Sequence, residues 1–312
     1  MKVIFNYNLK HSIKDPLAIA LGAFDGLHIG HQMLMRELNL IRVLSGCSTL
    51  VYTFLNNPME FLMPAKAPSR LTTTSERITA FSTFNPDYLI FNTFDSRLAS
   101  MLPRDFVENL LFRKYNVKYI VVGYDFKFGY GGAGDISLLK ELSEEYSIKL
   151  ITIPPLAIGE HTISSSLIRD LIKNGNMRDV SRYLGEHYSV SGTVVHGFGR
   201  GNKMGYPTAN LEFDSRKAVP KKGIYLTRIK VDNNYHWALT NIGVNPTFNK
   251  KGLFFETHVL DFNRKIYGKG IKIEFLEFIR DEIKFDSITR LKEQIAKDII
   301  QAKNSIYKLK PV

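Results

Sequence analysis

Two histidines close a glycine-rich loop near the start of the chain. The stretch reads GAFDGLHIGH from Gly22 to His31, and its histidines, His28 and His31, lie three residues apart. On the first turn of a helix, residues with this spacing share a face. Imidazoles there can donate hydrogen bonds to phosphate oxygens, which the N–H groups of a helix start also attract. The loop therefore predicts a triphosphate site, with a surface or helix-capping role for the histidines as the alternative.

A second segment of the first half also predicts a phosphate site at the start of a helix. TISSSLIRD offers Ser164 or Ser165 as the cap of a helix whose first turns carry Arg169. An arginine held at a helix start is a good phosphate ligand. The plainer interpretation is an ordinary capped helix with one exposed arginine.

A third segment, VVGYDFKFGYGGAG, lies between these two. Gly123 allows close approach of the backbone, and the aromatic rings of Phe126 and Phe128 can face a flat ring system. The alternative is a glycine-rich turn covered by two core phenylalanines.

The second half contains GTVVHGFGRGNKMGYPTANLEF, a basic loop whose spaced glycines predict a flexible phosphate-binding flap. Its PTAN places Thr208 and Asn210 two residues apart, on one side of an extended segment. A hydroxyl and an amide oxygen are neutral ligands that suit Mg²⁺. Downstream, FFETHVLDF places Glu256 in an alternating strand. There the carboxylate can accept a proton from a substrate hydroxyl, or it can simply face solvent.

Two kinds of fold must position these residues. The first half alternates short apolar runs with helical patterns, which predicts a doubly wound parallel sheet with its ligands beyond the strand ends. After about residue 185 the strands are short, aromatic and β-branched, which predicts a small antiparallel β-barrel with a C-terminal helix. We place the boundary near LGEHYS, with domains at 1–184 and 185–312.

Composition narrows the class of protein. The net charge of +12 is spread along the chain with acidic residues interspersed, which favours a phosphate-handling enzyme over a nucleic-acid or membrane partner. The single cysteine, Cys47, excludes an intramolecular disulfide and fits a reducing compartment. No signal-peptide or transmembrane pattern is present, so we expect a cytoplasmic protein. Its oligomeric state stays open.

The paired motifs of the first half resemble those of the nucleotidylyltransferase superfamily. There an HxGH element and an SSSxxIR-like element grip ATP from either side. Class I aminoacyl-tRNA synthetases share this ancestry and its HIGH signature, but the chain has no KMSKS segment. A synthetase is therefore disfavoured.

Across almost its whole length the chain resembles the bacterial bifunctional riboflavin kinase/FMN adenylyltransferases. The matching motifs are GAFDGLHIGH, VGYDFKFG, ISSSLIR, GRGNKMGYPTANL, GIYL, NIGVNPTF, ETHVLDF and FIRDEIKFDS. The resemblance implies a two-step enzyme that uses Mg²⁺ and ATP to convert riboflavin to FMN and then FMN to FAD.

The resemblance also implies a role for each matching residue. Glu256 would be the kinase base, and Thr208 and Asn210 would bind Mg-ATP. His28, His31 and Arg169 would handle ATP in adenylyl transfer. The other implied ligand contacts of the first half are Gly22, Phe24, Asp25, Gly26, Gly30, Gly123, Asp125, Phe126, Phe128, Ser164 and Ser165. Those of the second half are Gly197, Gly199, Arg200, Gly201, Lys203, Gly205, Pro207 and Arg280.

Three departures from the family pattern leave alternatives open. Asn57 stands where relatives often have the histidine of a Pro-His-Pro, the loop FGYGGAG lacks a frequent arginine, and Asn245 replaces another. Asparagine donates hydrogen bonds but carries no charge, so adenylylation is the activity at risk. The alternatives are a chain with one surviving activity, or a flavin-sensing or RNA-binding regulator on the same fold.

Overall fold

The chain folds into two compact units. The computed structural model describes residues 1–6, 13–197, 201, 204–244 and 252–309. Contacts divide the chain into the units Met1–Ser165 and Ser166–Val312. This division by contacts precedes the predicted domain boundary of 184/185, which stays a prediction.

The first unit is built on a parallel sheet. Its strands are β1 (Lys2–Phe5), β2 (Leu17–Leu21), β3 (Ser48–Phe54), β4 (Tyr88–Asn92), β5 (Val117–Gly123) and β6 (Lys149–Ile153). All neighbouring strands run parallel, in the order β1-β4-β3-β2-β5-β6. The predicted doubly wound sheet is confirmed. Its strand order reverses at β2, which brings the loops after β2 and β5 side by side at the switch point.

Helices cover both faces of this sheet and enclose two separate core clusters. They are α1 (Ile29–Ser45), α2 (Pro58–Leu62), α3 (Thr74–Ser82), α4 (Ser96–Ala99), α5 (Pro103–Asp105) and α6 (Ile136–Glu145). A π-helical segment, Phe106–Phe112, follows α5. A short hairpin, β7 (Ala157–Ile158) and β8 (His161–Thr162), precedes α7 (Ser165–Asn174).

Helix α1 buries one apolar face in the core. Leu34, Leu38 and Ile41 are buried there. Leu44, which lies on the last turn of the helix, is 76% exposed. The helix ends at Gly46, whose φ of 71° is the left-handed conformation that favours glycine.

The second unit is a closed antiparallel barrel, as predicted. Its strands are β9 (Ser189–Val195), β10 (Thr208–Phe213), β11 (Gly223–Val231), β12 (Asn234–Val244), β13 (Leu253–Val259) and β14 (Gly270–Arg280). They follow the order β10-β13-β12-β11-β14-β9, and β9 pairs with β10 to close the barrel. Asp232 and Asn233 both have positive φ and form a tight turn between β11 and β12.

Two helical elements pack on the barrel. Helix α8 (Met177–Leu184) lies against β14, where Arg178 forms an ion pair of 3.0 Å with Glu277. The C-terminal helix α9 (Ile288–Leu309) packs through Ala302 and Ile306 on an apolar cluster of the barrel. Ser287 caps the start of this helix, since its hydroxyl oxygen accepts a hydrogen bond of 3.3 Å from the backbone N–H of Arg290.

Across the described ranges, no helix combines the length and the apolar character needed to cross a membrane. The single cysteine, Cys47, is buried and free.

Candidate active sites

The loop after β2 delivers the two histidines to the start of α1. His28 is the N-cap residue, and its Nδ1 accepts a hydrogen bond of 3.3 Å from the backbone N–H of His31. The two rings stack, with centroids 3.6 Å apart and planes inclined by 18°. Because Nδ1 of His28 is an acceptor, a neutral His28 carries its proton on Nε2. The side chains therefore share a face, as their spacing predicted.

His31 is held in the neutral form. Burial, and then the neighbouring His28, lower its pKa well below the usual value. Its Nδ1 is buried and has no hydrogen-bond partner among the described residues. A neutral His31 stacks on His28 without repulsion between two positive charges, and a neutral imidazole can donate one hydrogen bond to an anion.

Phe24, Asp25 and Gly26 shape the loop. Phe24 has no exposed surface, and its ring packs edge-on against His31 at 5.2 Å. The Asp25 carboxylate accepts hydrogen bonds from the backbone N–H groups of Leu71 and Thr72, both at 3.0 Å. The Gly26 N–H donates to the Thr72 hydroxyl. These contacts position the loop and its histidines, and the predicted ligand contacts of the three residues stay predictions.

Two glycines of the loop are required by close packing. A Cβ added at Gly22 would lie 2.9 Å from the Phe24 ring, and one at Gly30 would lie 3.2 Å from the His28 ring. Their small size therefore permits the ring arrangement around the histidines. Their predicted contact with a ligand stays a prediction.

The predicted serine cap and its arginine are only partly placed. Ser165 is the first residue of α7 and so lies after the cap position, and its hydroxyl donates a hydrogen bond of 2.9 Å to the carbonyl oxygen of Asp25. Ser164 directly precedes α7 and is half-buried. Arg169 is half-buried on the same helix, within the second compact unit. The phosphate-binding roles of Ser164 and Arg169 stay predictions.

An aromatic cavity of about 200 Å³ lies at the switch point of the sheet. Phe126 and Phe128 line it, and their rings stack with centroids 5.6 Å apart. Gly22 also faces this cavity. Asp125, in contrast, is exposed and does not line it, although Gly123 approaches its carboxylate closely.

The sequence analysis missed four aromatic residues of this cavity. They are Tyr52, Phe54, Phe94 and Phe106. Burial raises the pKa of Tyr52 to about 12, and its hydroxyl accepts a hydrogen bond of 2.6 Å from Asn92. Two of the four lie on β3 and one closely follows β4. Aromatic residues at consecutive strand ends were the signal that could have revealed them.

Asn57, the departure from the family pattern, has a clear structural role. It is the N-cap of α2, where its Oδ1 accepts a hydrogen bond of 2.9 Å from the backbone N–H of Met59. Its side chain is therefore partly committed to the helix start.

The barrel site lies on two paired strands. Thr208 and Asn210 are on β10, and Asn210 lies directly opposite Glu256 of β13. The Thr208 hydroxyl donates a hydrogen bond of 2.7 Å to Oε1 of Glu256. The structure thus joins residues that are 48 positions apart in the sequence.

Thr208 separates two cavities. The larger, about 360 Å³, is lined by Glu256 together with apolar side chains such as Phe254 and Phe285. The smaller, about 260 Å³, is lined by Asn210, Gly197 and Pro207. Thr208 lines both. The two cavities therefore adjoin at Thr208.

Gly197 and Gly201 of the flap pack closely on this strand. A Cβ added at Gly197 would lie 2.7 Å from Cγ of Asn210, and one at Gly201 would lie 3.0 Å from Oγ1 of Thr208. Gly205 has a φ of 85°. The other predicted flap residues, Gly199, Arg200 and Lys203, lie outside the described residues, as does Asn245.

His258 and Arg280 complete the larger cavity. His258, which sequence analysis did not select, forms a hydrogen bond of 2.9 Å through Nδ1 with the carbonyl oxygen of Pro207. A carbonyl only accepts, so this ring nitrogen carries a proton. Arg280 makes two hydrogen bonds, of 2.8 and 2.6 Å, to the buried Asp298 carboxylate of α9. Its guanidinium is thus oriented by α9 at the cavity wall.

The oxygen atoms of Thr208 and Asn210 fit the ligand chemistry of Mg²⁺ bound to phosphate. The Thr208 proton is directed to Glu256, which leaves the lone pairs of Oγ1 for a cation. Two neutral ligands suffice for a Mg²⁺ ion that keeps water and phosphate as its other ligands. Within the described residues there is no cluster of three or more His, Cys, Asp or Glu side chains that could hold a metal by itself.

Comparisons with known proteins match both halves of the chain. A family model described as FAD synthetase matches residues 10–167, and one described as riboflavin kinase matches residues 184–306. A bifunctional riboflavin kinase/FMN adenylyltransferase from Buchnera aphidicola is 37% identical over 303 residues, covering 96% of each chain. One from Haemophilus influenzae is 32% identical, covering 97% of this chain and 98% of its own.

A solved structure matches the whole fold. It is described as a macrolide-efflux protein from Streptococcus pneumoniae, with 31% identity and a TM-score of 0.87. The match covers 97% of this chain and 99% of the other. Two family models and relatives above 30% identity over nearly the full length lead to one conclusion: the chain belongs to the bifunctional riboflavin kinase/FMN adenylyltransferase family.

Proposed function

We propose that the barrel unit transfers the γ-phosphoryl group of ATP to the 5′-hydroxyl of riboflavin, and that the sheet unit then adenylylates the product, FMN. The first step gives FMN and ADP. In the second step a phosphate oxygen of FMN attacks the α-phosphorus of another ATP, which gives FAD and pyrophosphate. The observation that carries the proposal is the Thr208–Glu256 hydrogen bond at the boundary of two cavities.

Each cavity of the barrel suits one substrate. The larger has an apolar and aromatic lining for the flavin ring, with Glu256 at its polar end. The smaller, beside Asn210 and the glycines of the flap, takes the triphosphate. Glu256 accepts the Thr208 hydrogen bond through Oε1, so Oε2 takes the proton from the 5′-hydroxyl. The hydroxyl oxygen then attacks the γ-phosphorus held in the other cavity.

Thr208 and Asn210 are the residues that we propose as ligands of Mg²⁺. When bound, the ion would neutralise negative charge on the phosphate oxygens. Thr208 also fixes the Glu256 carboxylate, and His258 fixes Pro207 at the start of the same segment. The chain thus places the base, Glu256, on one side of Thr208 and the ATP phosphate on the other.

In the sheet unit, His28 and His31 lie at the N-terminus of a seventeen-residue helix. Both rings are close enough to serve one phosphate group, and neutral imidazoles donate hydrogen bonds as charge develops on it. The aromatic cavity lined by Phe126 and Phe128 suits the flavin ring of FMN. Catalysis in this unit rests on positioning and hydrogen bonding, without a covalent step.

The alternative in which only one activity survives is favoured by one observation. Asn57 is uncharged and is already the N-cap of α2, so it cannot replace a charged histidine at the phosphates. We therefore propose adenylylation as the slower step. We further propose a cytoplasmic location, which the single buried thiol of Cys47 supports.

The experiment that tests the proposal is product analysis. The purified full chain is incubated with riboflavin and Mg-ATP, and FMN and FAD are separated by chromatography over time. FMN should appear first and FAD later, and FMN supplied directly should yield FAD. FMN without FAD would support the single-activity alternative. Formation of neither product would overturn the proposed function.

A further inference from the structure

Asn241 occupies a special position beside the proposed kinase base. It lies on β12 directly opposite Glu256 of β13, and Asn210 of β10 lies directly opposite Glu256 on the other side. Side chains of directly opposed residues project from the same face, with Cβ atoms about 4.5–5.5 Å apart. The three strands therefore present a row of Asn210, Glu256 and Asn241.

The amide oxygen of Asn241 has no hydrogen-bond partner among the described residues. This atom, Oδ1, is buried. An unpaired buried amide group is unfavourable, and the terminal torsion of asparagine turns readily. A ligand with a hydroxyl group in the adjoining cavity would relieve this cost.

The cavity that Asn241 lines indicates which substrate it faces. Asn241 lines the larger cavity with Glu256, whereas Asn210 lines the smaller one. The remaining wall of the larger cavity includes Leu239 and Phe254, which suit a flat apolar ring. Riboflavin carries a chain of hydroxyl groups between its ring and the reacting 5′-hydroxyl. A hydroxyl both donates and accepts, so it matches the amide in either orientation.

We infer that Asn241 binds a ribityl hydroxyl of riboflavin and thereby aligns the 5′-hydroxyl with Glu256. The inference rests on the proposed kinase function of this cavity. It assigns to Asn241 a contact with the flavin substrate, and to Asn210, on the opposite side of the base, a contact with the nucleotide. Glu256 thus lies between two asparagines, of which Asn241 contacts the flavin and Asn210 contacts the nucleotide.

The test compares two flavins in the full-length protein. Riboflavin and lumiflavin share the ring, but lumiflavin has a methyl group in place of the ribityl chain. Their Kd values are measured by flavin fluorescence with Mg-ADP present, for wild type and Asn241→Ala. We expect the Kd of riboflavin to rise about three- to tenfold, the effect of one lost hydrogen bond. The Kd of lumiflavin should stay unchanged, which also shows that the cavity is intact.

The matched control is Asn234→Ala, at the exposed start of the same strand. It should bind both flavins as wild type does. Equal weakening of both flavins by Asn241→Ala, or no change in either, would overturn the inference. So would a fall in kcat with unchanged riboflavin affinity, because Asn241 would then act through Glu256. If the wild type binds no riboflavin, the proposed kinase function itself fails.

Discussion

Gly197 offers the sharpest test of the proposed nucleotide cavity. An alanine Cβ at this position would overlap Nδ2 of Asn210 and lie 2.7 Å from its Cγ. Carbon atoms in contact are ordinarily about 3.5–4.0 Å apart, so the two residues must separate by about 1 Å. A misplacement of about 1 Å in a catalytic constellation costs about 10²-fold in rate, or about 2.7 kcal/mol. Gly197→Ala should therefore lower kcat/KM for ATP about 100-fold.

The assay is steady-state FMN formation at varied ATP, with riboflavin affinity measured separately. Riboflavin affinity should be unchanged, because Gly197 and Asn210 line only the smaller cavity. The matched control is Gly270→Ala at the start of β14, where an added Cβ would meet nothing within 4 Å. Equal kcat/KM for ATP in the two variants would refute the packing argument. A lowered riboflavin affinity in Gly197→Ala would show that the barrel itself has been distorted.

Three further predictions concern the two proposed chemical steps. Glu256→Gln can still accept the Thr208 hydrogen bond but cannot take a proton, so FMN formation should fall about 10²- to 10⁴-fold while the melting temperature stays near that of wild type. Replacing His28 and His31 together by alanine should abolish FAD formation from supplied FMN and spare riboflavin phosphorylation; equal loss of both activities in a folded variant would contradict separate sites. Finally, because the pKa of His31 is lowered in the native state, below about pH 6.5 its imidazole is protonated in the unfolded chain but stays neutral in the native state. The free energy of unfolding should therefore decrease as the pH is lowered below about 6.5. In urea titrations, His31→Gln should show a smaller decrease over the same pH range.

The elements of both units follow from local patterns in the chain. Apolar runs alternating with helical spacing produced the parallel sheet, and Gly46 and Ser287 marked real helix ends. Asp232 and Asn233 marked a real hairpin turn. These features depend on a few neighbouring residues, whose backbone preferences and side-chain spacing act over short distances.

Local patterns do not reveal the distant partners of a residue. Phe24 is buried in the core, and Asp25 and Gly26 form hydrogen bonds with Thr72. Ser165 was one of two candidate caps, but it is the first residue of α7 and its hydroxyl donates a hydrogen bond to the carbonyl oxygen of Asp25. A glycine-rich loop next to a helix start has the same composition whether its groups face a ligand or the protein.

The sequence by itself determined the residue types available for chemistry: paired imidazoles at a helix start, the PTAN ligands and a carboxylate within a strand. Only the tertiary structure decided their arrangement. The antiparallel pairing of β10, β13 and β12 aligned Asn210, Glu256 and Asn241 in one row, and it set Thr208 at the boundary of two cavities. The reason is that strand register is set by closure of the whole barrel, including the β9–β10 pair, and a one-residue slip would turn every side chain to the other face.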